Sequence, residues 1–148
     1  MTKETNKYFA DIAIPPGETL LETIEALGMS QIELAERMGM AKKTINEIIK
    51  GKAPITPETS LKLESVLGAS ANFWNNLEAN YQEVLARINA KQAIEEDIEV
   101  LKSIPYNEIS KLGWIDVTTD KKERVINSRR YYGVAFLGLI KNSYSVRF

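Results

Sequence analysis

The chain contains no cysteine and no histidine. Without cysteine there is no disulfide framework and no thiolate nucleophile. Without histidine the usual zinc ligand sets and a Ser-His-Asp triad are excluded too. No apolar run is long enough to cross a bilayer, which takes about 20 residues. The opening stretch, MTKETNKYFADIAIPPGE, lacks the basic start and apolar core of a signal peptide. A cytoplasmic location is therefore expected. There is no Gly-rich phosphate loop, and no isolated acidic pair stands in an apolar setting. The expectation is a protein that is not an enzyme, with no catalytic residue, no metal ligand and no cofactor. A strong charge of either sign is also missing, since 19 Lys and Arg face 20 Asp and Glu for a net −1. Any nucleic-acid binding must then rest on a local basic face. Acidic surface elsewhere could equally meet a basic protein partner.

What is present is a 148-residue chain, 44% hydrophobic, which suits one domain with a substantial extension. Its most informative stretch is residues 30–52, SQIELAERMGMAKKTINEIIKGK. Ser30 is placed to N-cap a helix, with Glu33 three residues on completing a capping box. Ile32, Leu34, Ala35 and Met38 supply an inner face. Gly39 falls where that helix must stop in a left-handed backbone, and Met40 reaches back to the core. Residues 42–50 form a second helix with Ile45, Ile48 and Ile49 turned inward. Ala35 is small enough for the two helices to cross closely. This is a helix-turn-helix, the geometry that lays its second helix in a DNA major groove. The other reading is a plain helical hairpin with a solvated outer face. That face carries Lys42, Lys43, Thr44, Asn46, Glu47, Lys50 and Lys52, four of them cationic.

Around this pair the chain predicts three further helices. Residues 1–15 form an arm, in which Phe9, Ile12 and Ile14 can pack on the core. Pro16 suits a first helical turn and Glu18 favours its dipole. Leu20, Leu21, Ile24 and Leu27 then form one stripe up to Gly28. Thr56 caps a fourth helix started by Pro57, lined by Leu61, Leu63, Val66 and Leu67 and stopped by Gly68. Ser70 or Asn72 opens a fifth, with Phe73, Trp74, Leu77, Tyr81, Val84, Leu85 and Ile88 on one stripe. The Phe73-Trp74 pair reads as a core plug. Residues 16–88 thus make a five-helix, all-α domain.

Beyond it the phase changes. Ile94, Ile98 and Leu101 repeat helically but about a quarter-turn from the earlier stripe. Either the helix breaks near residues 89–92, or it continues and offers its second half to another partner. Residues 78–101 carry six acids and two bases, net −4, while residues 119–148 carry seven bases and two acids, net +5. The two segments are either solvated faces or attract each other, within one chain or between two copies. Residues 106–112 predict a short helix closed by Gly113. Trp114, Ile115 and Val117 form an apolar link, and a last helix runs from Thr119-Asp120 to Gly133. Residues 142–148 alternate like an edge strand or extended tail. The end on Phe148, with no polar tail, reads as a cut from something longer.

IAIPPGETL, MSQIELAERMG, KKTINEIIKGKAPITPETSLKLE and NFWNNLEANYQ together resemble the HigA-type antitoxins of the Xre, lambda repressor-like helix-turn-helix group. The resemblance covers residues 12–87 without a gap. It implies a cytoplasmic repressor of its own operon that acts as a homodimer and neutralises a small RNA-cleaving toxin of the HigB kind. It places Gln31 on the DNA backbone, Lys42, Lys43 and Glu47 at base edges, and Thr44 and Lys50 near phosphates. The expected DNA-binding set is therefore Gln31, Lys42, Lys43, Thr44, Asn46, Glu47, Lys50 and Lys52. SIPYNEISKLGWI and YYGVAFLGLI resemble the connector of longer Xre proteins, where a zinc-peptidase-like domain of the ImmA/IrrE kind follows. No HExxH occurs here. Residues 89–148 are thus expected to be a helical extension serving dimerisation, or a connector in such a longer regulator. The remaining alternative is an interaction module with weak DNA binding. A groove helix must stay free, so the dimer surface is expected after it, with Ile94, Ile98 and Leu101 as part of that surface.

Overall fold

The structure is a computed structural model that describes residues 12–140. The expectations for Phe9 and for residues 142–148 lie outside the described residues. Among these, the elements are seven α-helices and a single 3-10 turn, with no strand. The helices are α1 (Pro16–Ala26), α2 (Gln31–Met38), α3 (Lys42–Ile49), α4 (Pro57–Leu67), α5 (Ala71–Leu101), α6 (Tyr106–Lys111) and α7 (Lys121–Tyr132). The 3-10 turn is Leu137–Leu139. The fold is all-α, as the periodicity required. Two compact units divide it, Met1–Arg87 and Ile88–Phe148.

Local chemistry explains where the helices start and stop. The Ser30 hydroxyl accepts from the Glu33 amide at 3.1 Å, a cap that stabilises a helix by about 1 kcal/mol. The capping box is only half made, because the Glu33 carboxylate turns to Arg37 at 2.9 Å instead. Thr56 caps α4 through the Thr59 amide at 3.2 Å, with Pro57 at the first helical position. Gly39 ends α2 at φ 62°, a left-handed conformation that side chains resist.

In the first unit the core is Leu20, Ile24, Leu34, Ala35, Met38, Ile45, Ile48, Ile55, Leu63 and Trp74. Leu21, Met40, Ile49 and Leu77 pack against it while partly buried. Helix α3 packs on α1 and α2, and α2 also packs on α4. Four stripe positions differ from expectation. Leu27, Ile32, Leu61 and Phe73 are exposed. Leu27 lies past the last turn of α1, where its stripe has run out. Ile32 and Leu61 sit at the edges of their apolar arcs, beyond the reach of the neighbouring helix. Of the predicted plug, Trp74 is fully buried while Phe73 stays 42% exposed and meets it edge-on at 5.1 Å. Ile12 and Ile14 are exposed rather than packed inward, and border a shallow groove with Leu77, Tyr81 and Val84.

Helix α5 does not break at residues 89–92 but runs unbroken for 31 residues. Its late apolar positions serve the second unit. Leu101, Tyr106, Val125 and Leu137 form that unit's core, with Ile94, Ile98, Val100, Ile104, Ile115 and Val134 around them. On the face carrying Ile94, Ile98 and Leu101, Leu101 is buried by its own chain and the other two are half covered by it, so most of the surface expected to meet a second copy is taken up within the unit. The physical reason is that residues 106–140 bring enough apolar side chains to cover it. The charge attraction is also within the chain at one point. Arg129 Nε meets Asp97 Oδ2 at 2.6 Å, and the Leu137 amide donates to the same oxygen at 3.1 Å. In the link, Ile115 is partly buried, but Trp114 and Val117 are exposed.

Candidate nucleic-acid interface

The eight-residue helix α3 has a sharply divided surface. Ile45 and Ile48 are buried, and Ile49 is half-buried. Lys42, Lys43 and Lys50 are exposed, as is Lys52 just beyond the helix. Thr44, Asn46 and Glu47 lie between, half-buried along the flanks. The structure thus gathers seven of the eight expected residues on and directly after one helix. The eighth, Gln31, is the first residue of α2. It is joined to the others by a hydrogen bond, in which Asn46 Nδ2 donates to Gln31 Oε1 at 3.2 Å.

Within the face, Lys43 Nζ stands 4.0 Å from Glu47 Oε1, one turn apart. The lysine side chain is 86% exposed, so this pair stabilises the helix only weakly. Lys42, Lys50 and Lys52 have no ion-pair partner among the described residues. They leave a patch of positive charge in a chain whose total is near zero.

Two features hold this helix in place that the sequence pattern did not reveal. The first is Gly17. A Cβ there would collide with the carbonyl oxygens of Ile48 and Ile49, and would lie 2.6 Å from Ile49 Cα. The start of α1 therefore touches the backbone at the end of α3, and only a residue without a side chain permits it. In the sequence Gly17 follows two prolines and reads merely as part of a rigid entry. The second is a set of polar ties between α5 and the segment before it. Glu78 accepts from the Ile55 amide at 2.6 Å, and Asn75 accepts from the Ser60 hydroxyl at 2.6 Å. Glu64 accepts from the Ala71 amide at 2.6 Å. Of these residues Ile55 lies in the KAPITPET stretch, and Asn75 and Glu78 lie in FWNNLEANY. Their role in the fold is to fasten α4 and the loop after α3. Polar residues interleaved with a stripe as dense as FWNNLEANY were the available signal.

Comparison with known proteins agrees with this geometry. A family described as Helix-turn-helix matches residues 20–74. The helix-turn-helix-type transcriptional regulator YddM of Escherichia coli is 38% identical over 63 residues, spanning 43% of this chain and 67% of that protein. The structure of an addiction module antidote protein of the HigA family from Coxiella burnetii is similar with a TM-score of 0.53 at 31% identity. That match covers 57% of this chain and 94% of the other. Pseudomonas aeruginosa antitoxin HigA, solved with the higBA promoter, is similar at a TM-score of 0.52 and 30% identity. Here 55% of this chain and 90% of the other are covered. None of these relatives is described as an enzyme. The buried pattern of α1 to α4, the divided surface of α3 and these matches converge: the chain belongs to the Xre-type helix-turn-helix family that includes the HigA antitoxins.

Proposed function

We propose that the chain is a sequence-specific DNA-binding repressor and the antitoxin of a HigB/HigA-type module. It acts in the cytoplasm as a homodimer on a symmetric operator and neutralises an RNA-cleaving toxin. The observation that carries the DNA reading is the divided surface of α3, cationic outside and anchored inside through Gly17. A rigidly seated helix loses little freedom on docking, so its side chains meet base edges already positioned. Lys42 and Lys43 suit the guanine acceptors, and Glu47 suits a cytosine amino group. Gln31, whose Oε1 is occupied by Asn46, keeps its Nε2 to donate to a phosphate. Thr44, Lys50 and Lys52 neutralise or hydrogen-bond phosphates alongside. One such helix reads few base pairs, and two copies on half-sites about one helical turn apart supply the missing specificity. The HigA relatives favour this over a peptidase-bearing regulator or a pure interaction module.

The test is binding to the chain's own upstream region. Lys42→Ala or Lys43→Ala should cost about 1–3 kcal/mol on the operator and relax base preference. Lys50→Ala should weaken all sequences alike and reduce the salt slope by about one. Unchanged operator affinity in a Lys42→Ala, Lys43→Ala double variant would refute the groove assignment.

A further inference from the structure

The second unit carries a recess of about 290 Å³ lined by Ile98, Leu101, Lys102, Thr119, Lys121 and Arg124. Its floor is apolar, with Leu101 buried and Ile98 half-buried. Its rim holds three cationic groups. Arg124 is held by three contacts. Its Nε donates to the Thr118 carbonyl at 2.7 Å and its Nη2 to Asn107 Oδ1 at 2.9 Å. Its guanidinium also lies 4.6 Å from the centre of the Tyr106 ring. The remaining N–H donors of a guanidinium held in this way are presented without further loss of entropy. Lys102 is steadied by Glu99 at 2.8 Å. The hydrogen bond and charge of Lys102, and more weakly the charge of Lys121, hold the Glu99 carboxyl below its usual range. The lining itself carries three cations and no carboxylate, while nearby Glu99 is paired with Lys102, Asp120 caps α7 and Glu123 accepts from the Thr118 hydroxyl.

A bare inorganic anion would leave the half-buried Ile98 and the open edge of Leu101 uncovered, and a neutral apolar molecule would leave the cations unanswered. Matching both parts of the wall requires one molecule with both characters. We propose that this recess binds a small organic anion, a carboxylate or phosphate monoester on a short apolar body. At ~30 Å³ per non-hydrogen atom, the share of a water in the liquid, the volume holds roughly ten such atoms. The apolar body lies on Ile98 and Leu101, and the head group meets Lys121, Lys102 and the fixed guanidinium of Arg124. Thr119 adds a hydroxyl donor at the same rim. The site belongs wholly to the extension and does not depend on the DNA-binding role.

The experiment is a titration of the full chain followed by ¹H–¹⁵N spectra. The probes are hexanoate, hexyl phosphate, inorganic phosphate and 1-hexanol. Hexanoate or hexyl phosphate should shift the amides of Leu101, Thr119 and Lys121 saturably, with a dissociation constant on the order of a millimolar. The tighter of the two identifies the head group. Inorganic phosphate and 1-hexanol, each lacking half of the contacts, should bind at least about tenfold more weakly. Lys121→Glu alters an exposed side chain and should weaken the better probe roughly fivefold. If that variant disturbs the spectrum globally, Lys102→Ala replaces it with the same expectation. Absence of saturation, shifts confined to other regions, inorganic phosphate equal to the hexyl anions, or unchanged binding by the variant each overturns the proposal.

Discussion

The two units solve the problem of a small core differently. The first closes around ten buried apolar side chains, from Leu20 to Trp74. Each fully buried Leu or Ile in such a core is worth about 1.5–3 kcal/mol. The second closes around a cluster of four, with Ile109 buried apart from it, and where the polar residues buried in the first are the hydroxyl-bearing Thr59 and Ser60, the second also buries the carboxylate of Asp97. Its helices are tied by a buried ion pair as well as by hydrogen bonds. Asp97 holds Arg129 and the Leu137 amide, while the Tyr106 hydroxyl donates to the Asp116 carbonyl at 2.6 Å and accepts from Asn127 at 3.1 Å. Apolar contact is tolerant of small shifts, whereas a buried ion pair is not, since either partner alone is a stranded charge. The first unit should therefore tolerate single polar changes better than the second.

The largest expected effect breaks the second unit. Asp97→Ala leaves Arg129, whose Nη2 is already buried without a partner, and the Leu137 amide unanswered. A loss of about 3–5 kcal/mol is expected. Hydrogen exchange should show amides around Leu101 and Val125 losing protection while those of Leu20 and Ile45 keep theirs. Equal loss in both units would contradict the division. Replacing both partners, as Asp97→Leu with Arg129→Met, should be nearly neutral.

Gly17→Ala is the matching break in the first unit. The added methyl meets backbone, which cannot swing aside as a flexible side chain can. A destabilisation of about 3 kcal/mol is expected, with protection lost at Ile45 and Ile48. A denaturation midpoint equal to that of the parent chain would show that α1 can retreat without cost. Asn75→Ala sharpens the comparison further down the scale. It removes the acceptor of the fully buried Ser60 hydroxyl, and about 1–2 kcal/mol should be lost. A loss as large as that of Asp97→Ala would mean that the first unit depends on its polar ties as much as the second.

The smallest effect belongs to the surface of α3. Glu47→Gln dissolves a weak pair with Lys43 and should change stability by less than about 0.5 kcal/mol. Its consequence should appear in binding instead. Removing a carboxylate from the groove face should raise affinity for random DNA and narrow the gap to the operator. Equal weakening on both DNAs in filter-binding titrations would assign Glu47 a structural part.

Much of the first unit follows from local chemistry alone. Ser30, Gly39, Thr56 and Gly68 mark helix ends because capping and left-handed backbone are properties of single residues. The buried face of α3 follows from the spacing of Ile45 and Ile48, and the exposed lysines follow as its complement. The fold class, the helix order and the exposure of the lysines on and after α3 are legible for that reason. Period alone could not fix the width of each apolar arc, so Ile32, Leu61 and Phe73 were placed inside when a neighbour's reach decides otherwise. Nor could it say what covers Ile94, Ile98 and Leu101, since the covering side chains lie far along the chain, just as 40 residues separate Asp97 from the Leu137 amide it holds. The close approach of Gly17 to Ile48 and Ile49, and the bond from Asn46 to Gln31, are likewise meetings of distant segments. Sequence determined what each segment would become, because helix, cap and apolar stripe are encoded within a few residues. Tertiary structure alone decided which surfaces remain free, because a surface is free only when no other part of the chain covers it.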